Sequence, residues 1–236
     1  MAQTWDWQLF LQDTGGGRTY GMWLLSAWGW TLSVSALALV VAMVAGSVVG
    51  VARTVPNRVV VGLANAWTEV FRNIPLLVQI FVWYHVIPSI WTGLRAVPSI
   101  VLVVFALGLF TSARVAEQVR AGIQALPKGQ RDAGLALGLT LPQTYRHVLL
   151  PMAFRIIVAP LTSEAMSIVK NSSVAFAVSI AELTMFAIQA QEETSRGVEI
   201  YLAVTVLYFV SAYAINRAAA LVERRVRVPG VVGVRR

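Results

Sequence analysis

The sequence predicts an all-α polytopic membrane protein with five transmembrane helices, and three observations carry that class. Of 236 residues, 57% are apolar and only 13% are Asp, Glu, Lys or Arg, about half the roughly 25% usual in soluble domains. The mean hydropathy of +0.69 is concentrated in long apolar stretches, and a hydrocarbon core about 30 Å thick needs roughly 20 such residues as helix. Basic residues gather between alternate stretches, so the net charge of +8 reads as membrane topology rather than as nucleic-acid affinity. The absence of cysteine, with only two histidines, excludes disulfides and thiolate chemistry and leaves little for a metal site.

Residues 1–23 form a segment ahead of the first span. Trp5, Trp7 and Phe10 alternate there with Asp6, Gln8 and Gln12, a pattern suited to the membrane interface, where aromatic rings prefer to sit. Neither a basic n-region nor a small-residue cleavage site is present, so the first span is expected to act as an anchor and not as a removable signal. Spans are expected at 24–51, 59–91, 98–116, 156–180 and 200–222, all within one domain of residues 24–222, followed by a basic tail of 223–236. The second span carries Glu69, Arg72 and Pro75, and the proline predicts a kink. Within the fourth lie Glu164 and Lys170.

The cationic loops decide orientation. Arg53, Arg58, Arg120, Lys128, Arg131, Arg146 and Arg155 fall on one side together with the arginines of the tail, whereas Arg18, Arg95 and Arg196 fall on the other amid several acids. The positive-inside rule places the amino terminus outside and the carboxyl terminus in the cytoplasm.

Between the third and fourth spans lies a polar, helix-patterned stretch of about 118–151, and a connection that long is usually functional. Pro127 and Pro142 suit helix starts. Gly134 and Gly138, four apart, share a face if one helix holds both, and a face without Cβ atoms lets a partner approach the backbone. Each glycine costs a helix about 1 kcal/mol against alanine, which close packing on a partner offsets.

Asp132-Ala133-Gly134, three residues, Gly138, nine residues, then Val148, Leu149 and Leu150-Pro151 resemble the EAA loop of bacterial ATP-binding-cassette (ABC) importer permeases. Asp132, Gly134 and Val148 replace that motif's Glu, second Ala and Ile. The likeness continues in Glu69–Gln79, in Gln118–Ile123 with Leu126–Gln130, and in Pro160–Glu164 with Val169–Ser173. It extends over nearly the whole chain and narrows to the polar amino-acid type. The opening Asp6–Gln12 and the closing Val222–Arg227 are in keeping with permease subunits of glutamate/aspartate importers.

The resemblance implies a type I ABC importer permease of the bacterial inner membrane, for polar amino acids of the glutamate/aspartate kind. It implies a second permease subunit, identical or paralogous, two ATP-binding subunits and a periplasmic or lipid-anchored amino-acid-binding protein. No cofactor is implied on this chain, with ATP and Mg on the partner ATPase. In that family the loop is a coupling helix docked on the ATPase, which by position implicates Gln130, Asp132, Ala133, Gly134, Gly138, Leu139 and Pro142.

Ionisable groups within a bilayer are costly and normally face a cavity or one another. Glu69 and Arg72, three apart on one helical face, are expected to neutralise each other, whereas Glu164 and Lys170, six apart, point in different directions. For an anionic substrate, Arg72, Arg114 and Lys170 are the cationic candidates, with Glu164, Asn171 and Ser172 completing the candidate site, and hydrogen bonding between helices is the alternative role of Asn171 and Ser172. Arg114 is set against an alternative role as a snorkelling interfacial cation. No Gly-x-x-x-x-Gly-Lys-Ser/Thr loop is present, so the chain is expected to be a transport subunit and not an ATPase. The rival reading is an ion-coupled secondary amino-acid transporter with Glu69 and Glu164 as proton carriers; five spans show no inverted repeat of the kind common there. A hydrolase built on Ser47 and His85 has no supporting motif.

Overall fold

The structure, a computed structural model, describes residues 5–226, and all its regular elements are helical. A short 3-10 turn, Trp7–Leu11, opens the described chain, capped by the Asp6 carboxylate, which accepts from Gln8 N. Next come α1 (Tyr20–Ala52), α2 (Arg58–Asn73), α3 (Leu76–Phe81), a π turn at Val82–Val86 and α4 (Ile87–Ile90). After these stand α5 (Ser99–Gln124), α6 (Lys128–Ala136), α7 (Leu141–Thr144), a second π turn at Tyr145–Leu149 and α8 (Leu150–Asn171). A 3-10 stretch, Ser172–Val178, leads to α9 (Leu183–Thr194) and α10 (Gly197–Val226).

Four helices among the described residues are long and apolar enough to cross a membrane, and a fifth crossing requires α2 to be taken together with α3–α4. The second span is therefore broken where a continuous, kinked helix was expected. Pro75 drives the residue before it out of the helical region: Ile74 is extended at φ −88°, ψ 129°, and Pro75 caps a new helix. Both π turns end two residues before a proline, Pro88 and Pro151. A proline ring clashes with the carbonyl four residues back, and a widened turn relieves that contact. The limits expected for the terminal segment and the tail, at 23 and 223, fall inside α1 and α10. Arg227, Arg235 and Arg236 lie outside the described residues.

The chain divides into two compact units. One gathers the residues up to Ala38, Pro75–Leu107 and Ser167–Ala214. Its core packs Leu9, Trp23, Ala27, Leu183, Phe186 and Ile200, with the Trp23 and Phe186 rings edge to face at 5.1 Å. Polar groups that enter this core find partners. Trp28 Nε1 donates to Ser211 Oγ at 2.8 Å, and Tyr20 Oη donates to Glu193 Oε2 at 2.9 Å. The segment ahead of α1 docks here too, since Asp6 N donates to Glu199 Oε1 at 3.0 Å.

The second unit gathers Leu39–Ile74, Gly108–Met166 and the residues from Ile215. Gly46-Ser47-Val48-Val49-Gly50 is a G-x-x-x-G motif. A Cβ on Gly46 would stand 2.5 Å from Val115 Cβ and 2.7 Å from Ser112 O, and one on Gly50 would stand 2.7 Å from Val119 Cβ. The motif thus brings α1 and α5 into backbone contact, as small residues do between helices in lipid. Trp67 Nε1 ties α2 to the same helix through Ser112 Oγ at 3.2 Å.

In the first unit Glu182 is wholly buried. Its carboxylate caps α9 by accepting from Thr184 N and Met185 N, both at 2.9 Å, and from Tyr208 Oη at 2.8 Å. Burial pushes this carboxyl above its ordinary range, and the hydrogen bonds from Thr184, Met185 and Tyr208 offset part of the rise. A folded-state pKa above the unfolded one means that the folded chain holds the proton more tightly. Its stabilising contribution is fully present below the unfolded pKa and is lost as pH rises through the folded value. The thermal midpoint of the purified protein in detergent should therefore fall as pH rises above the normal carboxylate pKa. In Glu182→Gln this part of the slope should disappear, and an identical slope in variant and parent would contradict the assignment.

Candidate functional site

The segment from α6 to α7 is built by local chain chemistry. Pro127 caps α6, which ends at Ala136. There Gly138 takes φ +81°, Leu139 N donates to Gly134 O at 3.2 Å and Gly138 N to Leu135 O at 3.0 Å. This is a Schellman ending, in which a left-handed residue lets its own amide and the next one satisfy terminal carbonyls. Thr140 then starts α7 with a capping box: its hydroxyl accepts from Gln143 N while Gln143 Oε1 accepts from Thr140 N at 2.8 Å. Pro142 stands in the first turn, as expected of a helix start.

The shared glycine face expected of Gly134 and Gly138 does not form, because the helix stops between them. Gly134 is buried, and a Cβ there would meet Thr144 Cγ2 at 2.8 Å, so its bare face packs against α7 of the same chain. Gly138 is exposed and is needed for its backbone angle, with nothing within 4 Å of a Cβ. What the segment presents outward is Leu137, 83% exposed, with Leu135, Asp132, Ala133 and Pro142 also exposed. Leu139 and Gln130 are half-buried, and Gln130 Oε1 is enclosed without a hydrogen bond. Leu135 and Leu137 lie outside the set that the motif's spacing implicates. An apolar residue in a polar, glycine-ended turn was the available signal.

Charged groups within the spans are paired more fully than sequence spacing implies. Arg72 meets Glu69 at 3.5 Å, as the spacing predicts, and also Glu117 on α5, while Asn73 Nδ2 donates to Glu69 Oε2 at 2.8 Å. Arg114 on α5 stands 3.7 Å from Glu164 on α8, and its guanidinium lies 5.3 Å over the Phe110 ring. The Arg114 side chain is 42% exposed and that of Glu164 12%. Glu164 Oε2 receives no hydrogen bond, so this pair is electrostatic contact without a made bond.

In the other unit Lys170 is exposed at the end of α8 and makes no ion pair among the described residues. Asn171 is half-buried beside it. Of the two roles open to Ser172, its position suits hydrogen bonding within the protein: it is buried and its hydroxyl donates to Val169 O at 2.7 Å. Glu164 is paired with Arg114, so its cation comes from another helix and not from the Lys170 of its own. No group of three His, Asp or Glu side chains is placed to hold a metal ion among the described residues.

Long apolar helices with paired charges inside them, joined to an outward-facing polar segment tipped by leucines, are the features of a membrane transport component. The chain belongs to the family of binding-protein-dependent transport system inner membrane components, whose model matches residues 38–228. It is 43% identical to the glutamate/aspartate import permease protein GltJ of Escherichia coli K12, over 99% of both chains. A probable glutamine ABC transporter permease protein, GlnM of Bacillus subtilis, is 34% identical over 83% of this chain and 89% of that one. Among solved structures, an amino acid ABC transporter with histidines covers 94% of this chain and matches all of its own at TM-score 0.77 and 30% identity. The inward-facing MetNI methionine ABC transporter matches 88% of this chain and 98% of its own, at TM-score 0.72 and 25% identity. The chain is thus an inner-membrane ABC permease subunit, a transport component and not an enzyme.

Contact between Gly134 and Thr144 yields a double-mutant test. Gly134→Ala should lower the thermal midpoint, at a cost of about 1–3 kcal/mol for an overpacked contact. Adding Thr144→Ser, which deletes the methyl at 2.8 Å, should restore part of that loss. Strictly additive effects would show that the two residues do not touch.

Proposed function

We propose that this chain is the permease subunit of an ATP-driven importer for acidic amino acids, with glutamate and aspartate as substrates. The observation that carries the reading is the 43% identity, without large gaps in coverage, to a glutamate/aspartate import permease. Within the chain, Arg114 supports it. Its single carboxylate partner at 3.7 Å leaves most of a five-donor guanidinium available, and a substrate carboxylate can compete with Glu164 for it in the bidentate geometry that arginine favours. Arg72 is less suited to that role because two carboxylates already neutralise it. Exposed Lys170, with Asn171, is a second point at which an anionic substrate could be held. Both glutamates that an ion-coupled carrier would use, Glu69 and Glu164, stand beside arginines.

On this reading the amino terminus lies outside, the carboxyl terminus and the α6–α7 segment lie in the cytoplasm, and residues 24–222 act as one permease domain. A second permease subunit completes the path. Two ATP-binding subunits, holding ATP and Mg, grip the segment through Leu135, Leu137 and the polar residues Gln130 and Asp132. A periplasmic or lipid-anchored binding protein delivers the amino acid. The substrate crosses without any bond in it being made or broken, and the chain's own work is to exchange carboxylate partners along the path.

Proteoliposomes holding the complete transporter and its binding protein test this. Labelled glutamate uptake should require ATP and be competed by aspartate better than by glutamine or asparagine, and preferential competition by glutamine would contradict the substrate class. Arg114→Gln should lower glutamate uptake about tenfold or more, the worth of one charge-assisted hydrogen bond. Lys170→Ala should lower it without loss of assembly. Unchanged transport in either variant would remove that residue from the site.

A further inference from the structure

In the second unit, a cavity of about 570 Å³ lies among the turn after α1, the end of α5 and the start of α6, within the roughly 300–1,000 Å³ of small-molecule sites. Arg53, Lys128 and Arg131 line it, against Asp132 as its one acidic residue. Two of the three cations have nitrogens enclosed without any acceptor, Arg53 Nη1 and Arg131 Nε. Buried charged donors are almost always bonded, and an unbonded one costs more than a neutral group would. Arg53 spends only its Nε on a neighbour, Asn65 Oδ1 at 2.8 Å. Val55 and Leu126 supply apolar wall to the same cavity. Burial and the nearby cations Arg120 and Arg72 hold the Arg53 guanidinium below its ordinary range, against the opposing effect of Glu117 and Glu69.

We propose that this cavity binds the phosphate of an anionic phospholipid headgroup. Arginine forks match phosphate oxygens geometrically, basic pockets at the inner face of membrane proteins take such headgroups, and the apolar wall suits the glycerol and first acyl carbons. Lipid rather than dissolved phosphate is the favoured source because the cavity opens beside the end of a membrane-spanning helix. That choice of leaflet rests on the orientation proposed above.

The test uses the intact transporter with its ATPase subunits in nanodiscs of phosphatidylcholine, with or without phosphatidylglycerol. Both leaflets carry the anionic lipid, so the outcome does not depend on which way the chain is inserted. Phosphatidylglycerol should raise the thermal midpoint and be retained by the complex in native mass spectrometry. Arg53→Gln with Arg131→Gln should weaken retention about twenty-five-fold, at roughly fivefold per cation. Arg224→Gln with Arg225→Gln, which removes equal charge outside the cavity, should leave retention intact. Equal loss in the two double variants, or no effect of phosphatidylglycerol on the parent, would overturn the proposal. If the first variant does not assemble, the parent decides. Inorganic phosphate matching phosphatidylglycerol in phosphatidylcholine discs would overturn the lipid source, and a response to phosphatidylglycerol alone would uphold it.

Discussion

Placing ionised groups inside apolar helices is the constraint on which the rest of this structure depends. Hydrocarbon offers neither water nor counter-ions, so a charged side chain there must find a partner in the protein. Arg72 finds Glu69 and Glu117, and Arg114 finds Glu164. These contacts tie α2 to α5 and α5 to α8, and the Gly46 and Gly50 approach brings α1 onto the same α5. The part of helix α5 from Gly108 onward is therefore the axis of the second unit. A permease has to move a charged molecule through a medium that excludes charge. Ion pairs weak enough to exchange partners are a means of doing so, and the role proposed for Arg114 rests on its 3.7 Å separation from Glu164, whose Oε2 has no hydrogen bond.

Much of this was legible in the amino-acid order. Apolar length alone located the spans to within a few residues at α1 and α10, because twenty apolar residues in a row have few other uses. The match of Asp132 through Pro151 to the EAA spacing points to the family without any geometry. Pairing between residues near in sequence, such as Glu69 with Arg72, also followed from helical periodicity.

What could not be read involved contacts distant in sequence or the competition between two local preferences. Glu117 as a partner for Arg72, and Arg114 for Glu164, required knowing which helices meet. At Pro75 a kink and a break differ only in whether Ile74 stays helical, and the proline's effect on the preceding residue decided for the break. Gly138 was mistaken for a packing glycine because its distance from Gly134 suits one helix face. The glycine's own tendency to adopt positive φ ended the helix first, and the exposed surface passed to Leu137. Helix α9 escaped notice because its cap, Glu182, is a residue type expected in solvent and is instead buried.

The leucine-tipped segment between α6 and α7 is proposed as the part that a separate ATP-driven engine grips. Since the chain has no cysteine, a single Leu137→Cys gives a unique thiol at the tip. Its rate of maleimide labelling, measured in the isolated permease and in the assembled transporter, tests the claim most directly. Strong protection on assembly, changing with ATP, is the predicted result. Labelling at one rate in both, with ATP without effect, would contradict it.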